Sequence, residues 1–206
     1  ANKTLRSVGV NLKKAELRAS ARQMMRSAFS AFFGGAEGMG LVDLMVDNVP
    51  DPVEGGMEKL RRFYTGEQGA GSRVGRSVKA ADAGGPLLIN VVKMFSSPTG
   101  SSFTALGRVY SGTIKPGDKV KVLGEDYSVD DEEDCSIATV EGVLIPHGRF
   151  NTEISRGVAG NWVLLDGLDG AISKTVTITS VSTSVSTNVS GGIQIFRPLT
   201  FPLVGG

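Results

Sequence analysis

The chain has little of what most side-chain chemistry needs. Among its 206 residues there is one cysteine, Cys135, one histidine, His147, and one tryptophan, Trp162, and aromatic residues make up 6%. A single cysteine excludes an intrachain disulfide framework and suits a reducing compartment, cytosol or nucleus. A single histidine excludes a histidine metal centre, and the partners of a nucleophile–base triad are missing. His147 lies between Pro146 and Gly148 and reads as a turn residue. Cys135 follows the acidic run Asp130 to Asp134, a setting that raises a thiol pKa rather than activating it. No apolar run approaches the roughly 18 residues of a membrane helix. The opening "ANKTLRSVGV" is basic but lacks the apolar core of a secretory signal. A phosphate-binding loop is absent as well. In "GAEGMGLV", Gly35 and Gly40 are correctly spaced, but Leu41 and Val42 stand where Lys and Ser/Thr are required. The D-x-x-G string from Asp82 to Gly85 is a chance-level pattern, and no Asn-Lys-x-Asp base-reading motif occurs. No catalytic constellation is predicted.

What is present is glycine, 28 residues of it, in a chain with 40% hydrophobic and 21% charged residues. The net charge of +1 hides an asymmetry. Residues 1–80 hold 13 Lys/Arg against 8 Asp/Glu, a net of +5, and the remainder carries −4. Such a split favours two segments with different partners, or facing each other. Length allows one domain or two small ones. The start on Ala and the end on "FPLVGG" give the expectation of a piece of something longer.

Three regions follow. Residues 1–50 are predicted helical. Leu12, Leu17, Ala21, Met24, Ala28 and Phe32 recur near the 3.6 period over residues 11–33, with Asn11 as N-cap and Gly34-Gly35 as the stop. Lys14, Arg18, Arg22 and Arg26 fall four apart and form one basic ridge. Two readings of the ridge stand: a solvated face, or contact with phosphate backbone or an acidic partner. "GLVDLMVDNVP" continues helical to Asn48. Residues 51–85, with eight glycines, are predicted to be an extended, partly mobile linker. From Pro86 to the end, about six short strands with turns every 8–12 residues predict an antiparallel barrel or sandwich, mainly β. "KPGD" is a type II turn through Pro116 and Gly117, and "KVKVLG" alternates so that Val120 and Val122 face inward. Gly107 marks a bulge or bend, and Trp162 is expected to plug the barrel. The Ser/Thr/Val tract 180–190, with the sequon Asn188-Val189-Ser190, reads as a flexible excursion that stays unglycosylated in a cytosolic or nuclear chain.

"FTALGRVYSGTIKPGDKVKVLG", residues 103–124, resembles the second-domain signature of translational GTPases. With "AGNWVLLDGLDGAISKTVTIT" and "IQIFRPLTF" it is similar to the elongation factor 2 family. The likeness is strong over residues 86–179 and moderate over 5–52. The acidic "YSVDDEED", Trp162, and the stretch from "LRSVGVNLKKAEL" to "GLVDLMVDNVPDP" point within that family to its spliceosomal branch, the GTPase of the U5 small nuclear ribonucleoprotein. The resemblance implies a translation-factor-type β-barrel, domain II, over 86–206 and reaching the start of the next domain. It is preceded by the helical end of a GTPase domain. It also implies GTP and Mg²⁺ in an upstream domain, with no cofactor, metal or catalytic residue in this chain. The function implied is a non-catalytic coupling module in pre-mRNA splicing, in the nucleus. Implied partners are U5 ribonucleoprotein proteins including a large scaffold, U5 small nuclear RNA, and the chain's own GTPase domain, with no membrane. Lys14, Arg18, Arg22 and Arg26 are candidate contacts to RNA or acidic protein. Arg108, Lys119 and Lys121 are candidate contacts to phosphate or the GTPase domain. Alternatives are domain II of elongation factor 2 on the ribosome, or a stand-alone small-barrel binding module.

Overall fold

Short helices separated by caps and bends open the chain, where one long amphipathic helix was expected. The computed structural model describes residues 2–7, 9–34, 41–69, 71–96, 100–128, 133–181 and 193–198. The chain divides into two compact units, residues 1–50 and 51–206. In the first, α1 (Asn2–Ser7) and α2 (Lys14–Leu17) are followed by α3 (Ala21–Gly34) and α4 (Leu41–Asn48). Asn11 is not the N-cap of the predicted helix. The Glu16 carboxylate instead accepts the Lys13 amide at the start of α2. Ser20 then interrupts the run. Its side chain accepts from the Gln23 amide while the Gln23 side chain accepts from Ser20, a reciprocal cap that restarts the helix. The predicted end of the second helix at Asn48 agrees with α4. Gly35 to Gly40 lie outside the described residues.

Residues 51–85 are not an extended linker. They form α5 (Pro52–Phe63) and α6 (Arg73–Lys79). Asp51 accepts from the Val53 and Glu54 amides at 2.9 and 2.8 Å, with Pro52 in the first turn, where its missing N–H costs nothing. Ser72 caps α6 through the Gly75 amide. Leu60, Tyr64, Val74 and Val78 then pack with Leu88, Tyr110 and Phe196 into one apolar cluster, so the two helices are a lid on the sheet. The loop after α6 is stitched down too. The Gly112 amide donates to Asp82 O, the Ser111 hydroxyl to Pro86 O and the Thr113 hydroxyl to Ala83 O.

The rest is antiparallel β, as expected. Its strands are β1 (Leu88–Ser96), β2 (Phe103–Ser111), β3 (Thr113–Ile114), β4 (Lys119–Leu123), β5 (Cys135–Thr139), β6 (Gly142–His147), β7 (Phe150–Glu153), β8 (Gly157–Val158), β9 (Trp162–Asp166) and β10 (Val176–Ser180). Eight of them form one sheet in the order β5-β4-β10-β1-β2-β9-β6-β7, and β3 pairs with β8. The continuous stretch "SIATVEGVLI" forms two strands, β5 and β6, which stand six places apart in this order. A flat sheet would separate them by ~29 Å at about 4.8 Å per strand. The two residues joining them, Val140 and Glu141, cannot reach across that distance. The sheet is therefore rolled. Val140 N donates to Asp118 O beside β4, and Glu141 N donates to Asp166 O at the end of β9, which ties the two sides together.

Inside the roll lie Ile89, Val91, Val109, Val120, Val122, Val143, Val163, Leu165 and Ile178, all essentially buried. The predicted inward pair Val120 and Val122 is among them. Gly117, at φ 89°, takes the third place of the predicted type II turn. Gly107 faces the bulge on β1, where the register skips Val92, and a Cβ there would stand 2.7 Å from Ile89 Cγ2. After β10 the chain returns as residues 193–198 and is fixed by bonds from Phe196 N to Thr177 Oγ1 and from Arg197 N to Phe63 O. Most of the Ser/Thr tract, residues 182–190 with its sequon, lies outside the described residues.

Candidate functional site

The side chains with chemistry are spread apart. His147 ends β6, exposed, its Nε2 bonded to Thr152 Oγ1 at 2.8 Å. Cys135 opens β5, half-buried. Among the described residues no group of three His, Cys, Asp or Glu is placed to hold a metal ion. Nor is any helix among them long and apolar enough to cross a membrane. The helix following Gly35–Gly40 opens on exposed Leu41 and Val42, with Asp43 in its first turn, which repels phosphate rather than cradling it. A cleft of about 460 Å³ opens beside β4, β5 and β10, lined by Glu125, Asp126, Asp134, Cys135 and Lys174 among others. Its carboxylates hold the walls together. Glu125 accepts from the Thr175 hydroxyl and faces Lys174 at 3.9 Å, and Asp134 accepts from the Asp126 amide. Asp130 to Glu132 of the acidic run lie outside the described residues.

The predicted contact residues fall on three separate places. Lys14, Arg18, Arg22 and Arg26 are all exposed, but they do not form one ridge. Lys14 begins α2 and Arg18 caps its end, whereas Arg22 and Arg26 belong to α3 beyond the break at Ser20. Only the last two share a helix face. Lys119 and Lys121 lie on β4 on the side opposite the buried valines, Lys119 exposed and Lys121 half-buried. Arg108 sits on β2, three strands from β4 across the sheet.

Arg108 proves the most specific of these positions, for a reason the sequence reading missed. Trp162 does not plug the barrel. It pairs across the sheet with Arg108 and is 44% exposed, with the guanidinium 5.6 Å over its ring. Period-two alternation forces this, because Val163 and Leu165 take the inside. The stacked pair is worth ~1 kcal/mol at a half-exposed site. Burial pulls the Arg108 pKa below its ordinary value, and nearby Tyr110 opposes the shift. Among the described residues no carboxylate forms an ion pair with it. Behind it Tyr110 stacks on Phe196, 5.0 Å between ring centres, and Phe196 packs on Tyr64. The pair thus sets an arginine on a half-exposed indole across two paired strands, beside an aromatic cluster.

These features define a class of fold, an antiparallel translation-factor-type barrel. Residues 102–179 match the family model of elongation factor Tu domain 2. Over 198 residues, 96% of this chain, the sequence is 36% identical to two proteins of Arabidopsis thaliana. They are the 109 kDa U5 small nuclear ribonucleoprotein component GFL and the 110 kDa component CLO. It is 34% identical over 199 residues to the pre-mRNA-splicing factor cwf10 of Schizosaccharomyces pombe. The chain spans 19% of the length of each of these relatives. Over nearly its whole length the chain is therefore similar to U5 small nuclear ribonucleoprotein components, with the elongation factor Tu domain 2 pattern in its barrel.

Proposed function

We propose that the chain is a non-catalytic coupling module of a spliceosomal GTPase, acting in the nucleus during pre-mRNA splicing. In this reading it joins a GTP-binding domain to ribonucleoprotein partners and relays the nucleotide state between them. The observation that carries the reading is the extent of the homology. It runs through the helical unit, the two-helix lid and the barrel alike, so these parts are kept together in the spliceosomal relatives. GTP and Mg²⁺ would be held by another domain of the parent protein. A relay of this kind needs one interface with two arrangements whose balance the nucleotide biases. Arg108 with Trp162, and Lys119 with Lys121, are the surfaces this chain offers to such an interface.

The test is a pull-down of the tagged parent protein from cell extract, with sequencing of the RNA recovered. U5 small nuclear RNA is the expected result, and nuclear fluorescence of the tagged protein should accompany it. Ribosomal RNA would move the chain to translation, and neither RNA would favour a stand-alone module. Within the parent, Lys119→Glu with Lys121→Glu should weaken assembly without unfolding the barrel. Unchanged recovery of partners at both low and moderate salt would remove these two residues from the interface.

A further inference from the structure

The lid carries a charge pattern that none of the preceding functions uses. Residues 68–81 contain three cations, Arg73, Arg76 and Lys79, and no Asp or Glu. All three are exposed, while Val74, Gly75, Ser77 and Val78 on the same helix are buried. At about 100° per residue, steps of three put the cations within a band ~120° wide, spread over ~9 Å of axis. Compensation is missing. Among the described residues none of the three forms an ion pair. Of the nearest acids in sequence, Glu67 and Asp82, the second turns its carboxylate to the Gly84 amide in its own loop. Helix α5, packed on α6, adds exposed Lys59, Arg61 and Arg62. Its acids are Glu58, bonded to Arg62, and Glu54 in its first turn.

The band is also rigid. Ser72 caps the helix start, the Ala80 amide closes its end on Arg76 and Val78 O, and a Cβ at Gly75 would meet Gln68 O at 2.6 Å. The cations are therefore presented on a fixed frame, and ordering them on binding costs little beyond their own rotamers. No large apolar side chain is exposed among the described residues between Val53 and Phe95. A protein interface has an apolar, aromatic centre, which this face lacks. Charge alone, repeated along a line, suits a phosphate backbone, where cation contacts to phosphates supply essentially all of the sequence-independent binding. Two of the three cations are arginines, whose planar forks match phosphate oxygens.

We propose that the outer face of α6, Arg73, Arg76 and Lys79, docks the phosphate backbone of single-stranded RNA without reading its sequence. The test is fluorescence anisotropy of the full chain with a fluorescein-labelled 15-nucleotide polyuridylate across a sodium chloride series. Three phosphate contacts at about 0.7 each predict that Arg73→Gln, Arg76→Gln and Lys79→Gln together reduce the salt slope by about 2, with affinity at low salt falling at least tenfold. Circular dichroism checks that the variant melts like the parent. The conservative variant Arg73→Lys with Arg76→Lys should keep the slope. A control with the same charge change on exposed barrel turns, Lys115→Gln, Arg149→Gln and Arg156→Gln, should leave slope and affinity unchanged. Equal loss in the control reduces the effect to net charge and overturns the proposal, as does RNA binding indifferent to the α6 variant. Tighter binding of labelled polyglutamate than of the RNA would assign the face to an acidic protein instead.

Discussion

Tyr110 joins the inside of the molecule to its surface. It is 8% exposed, stacks on Phe196, and lies next to Asn90 and Arg108. Burial raises its pKa above 10.0, with Arg108 and the Asn90 hydrogen bond opposing. Tyr64 shifts the same way for the same cause, against a bond in which its hydroxyl oxygen accepts from the Gln194 amide. The stabilisation from keeping both phenols neutral is fully present below pH 10, where the unfolded chain also keeps its protons, and is lost as pH rises beyond it. Thermal melts should hold steady from pH 7 to 9 and fall above 10. Tyr110→Phe should fall less steeply, relative to its own neutral value, and parallel curves for the two proteins would refute the assignment. Gly112 makes a second demand at this scale. Its φ is 82°, and a Cβ there would stand 2.7 Å from Leu87 Cα and 2.9 Å from Leu87 N, atoms that cannot move aside. Gly112→Ala should cost about 2–4 kcal/mol in urea unfolding, from strained backbone plus displacement of the loop. Trp162 shows what single residues disclose in advance. A lone tryptophan among valines and leucines suggests an interior, but counting by twos from Val163 and Leu165 already puts it outside.

At the scale of elements, the largest difference between expectation and structure is residues 51–85. Eight glycines suggested a linker, because glycine is the default loop residue. The opposing signals were present in Asp51-Pro52, a cap and first turn, and in Met57, Leu60 and Tyr64, spaced three and four apart. Several of the glycines serve packing instead. Gly75 lets α6 approach the carbonyls of Gln68 and Gly69, and Gly85 lets the following loop approach Ser77 and Ser111. Such close approaches are tertiary facts, invisible in a local reading. The β strands were legible because turns with fixed chemistry, such as Lys115 to Asp118, separate alternating runs. The division of β5 from β6 was not, because only the rolled sheet requires Val140 and Glu141 to cross between its sides. Leu60 tests the lid directly, since it is wholly buried between α5, α6 and the sheet. Leu60→Ala should cost about 2–5 kcal/mol and expose the α5–α6 segment to protease while the strands stay protected. Cleavage no faster than in the parent would mean that the helices are held by something other than this cluster.

The two units of the whole molecule differ in what they bury. In residues 51–206, sixteen buried apolar side chains fill the rolled sheet and a second cluster fastens the lid. Among the described residues of 1–50, Val10 alone is buried. Met25, Phe29, Leu44, Met45 and Val46 stand 54–74% exposed, and even the ring contacts of Phe29, Phe32 and Phe33 are made at the surface. Four helices of six, four, fourteen and eight residues are too short to persist on propensity, and a chain of about 50 residues has little core to add. Divided after Pro50, the molecule should therefore behave unequally. Residues 51–206 should unfold in urea as one cooperative transition with the midpoint of the barrel in the intact chain. Residues 1–50 alone should give a weak helical signal by circular dichroism and a sloping, non-cooperative melt. A sharp transition in the isolated 1–50 segment would show that its helices find a core among themselves, and the exposed apolar faces would then need another cause. A broad transition in 51–206 would show instead that the barrel depends on the helical unit, and that the division after Pro50 is not one of stability.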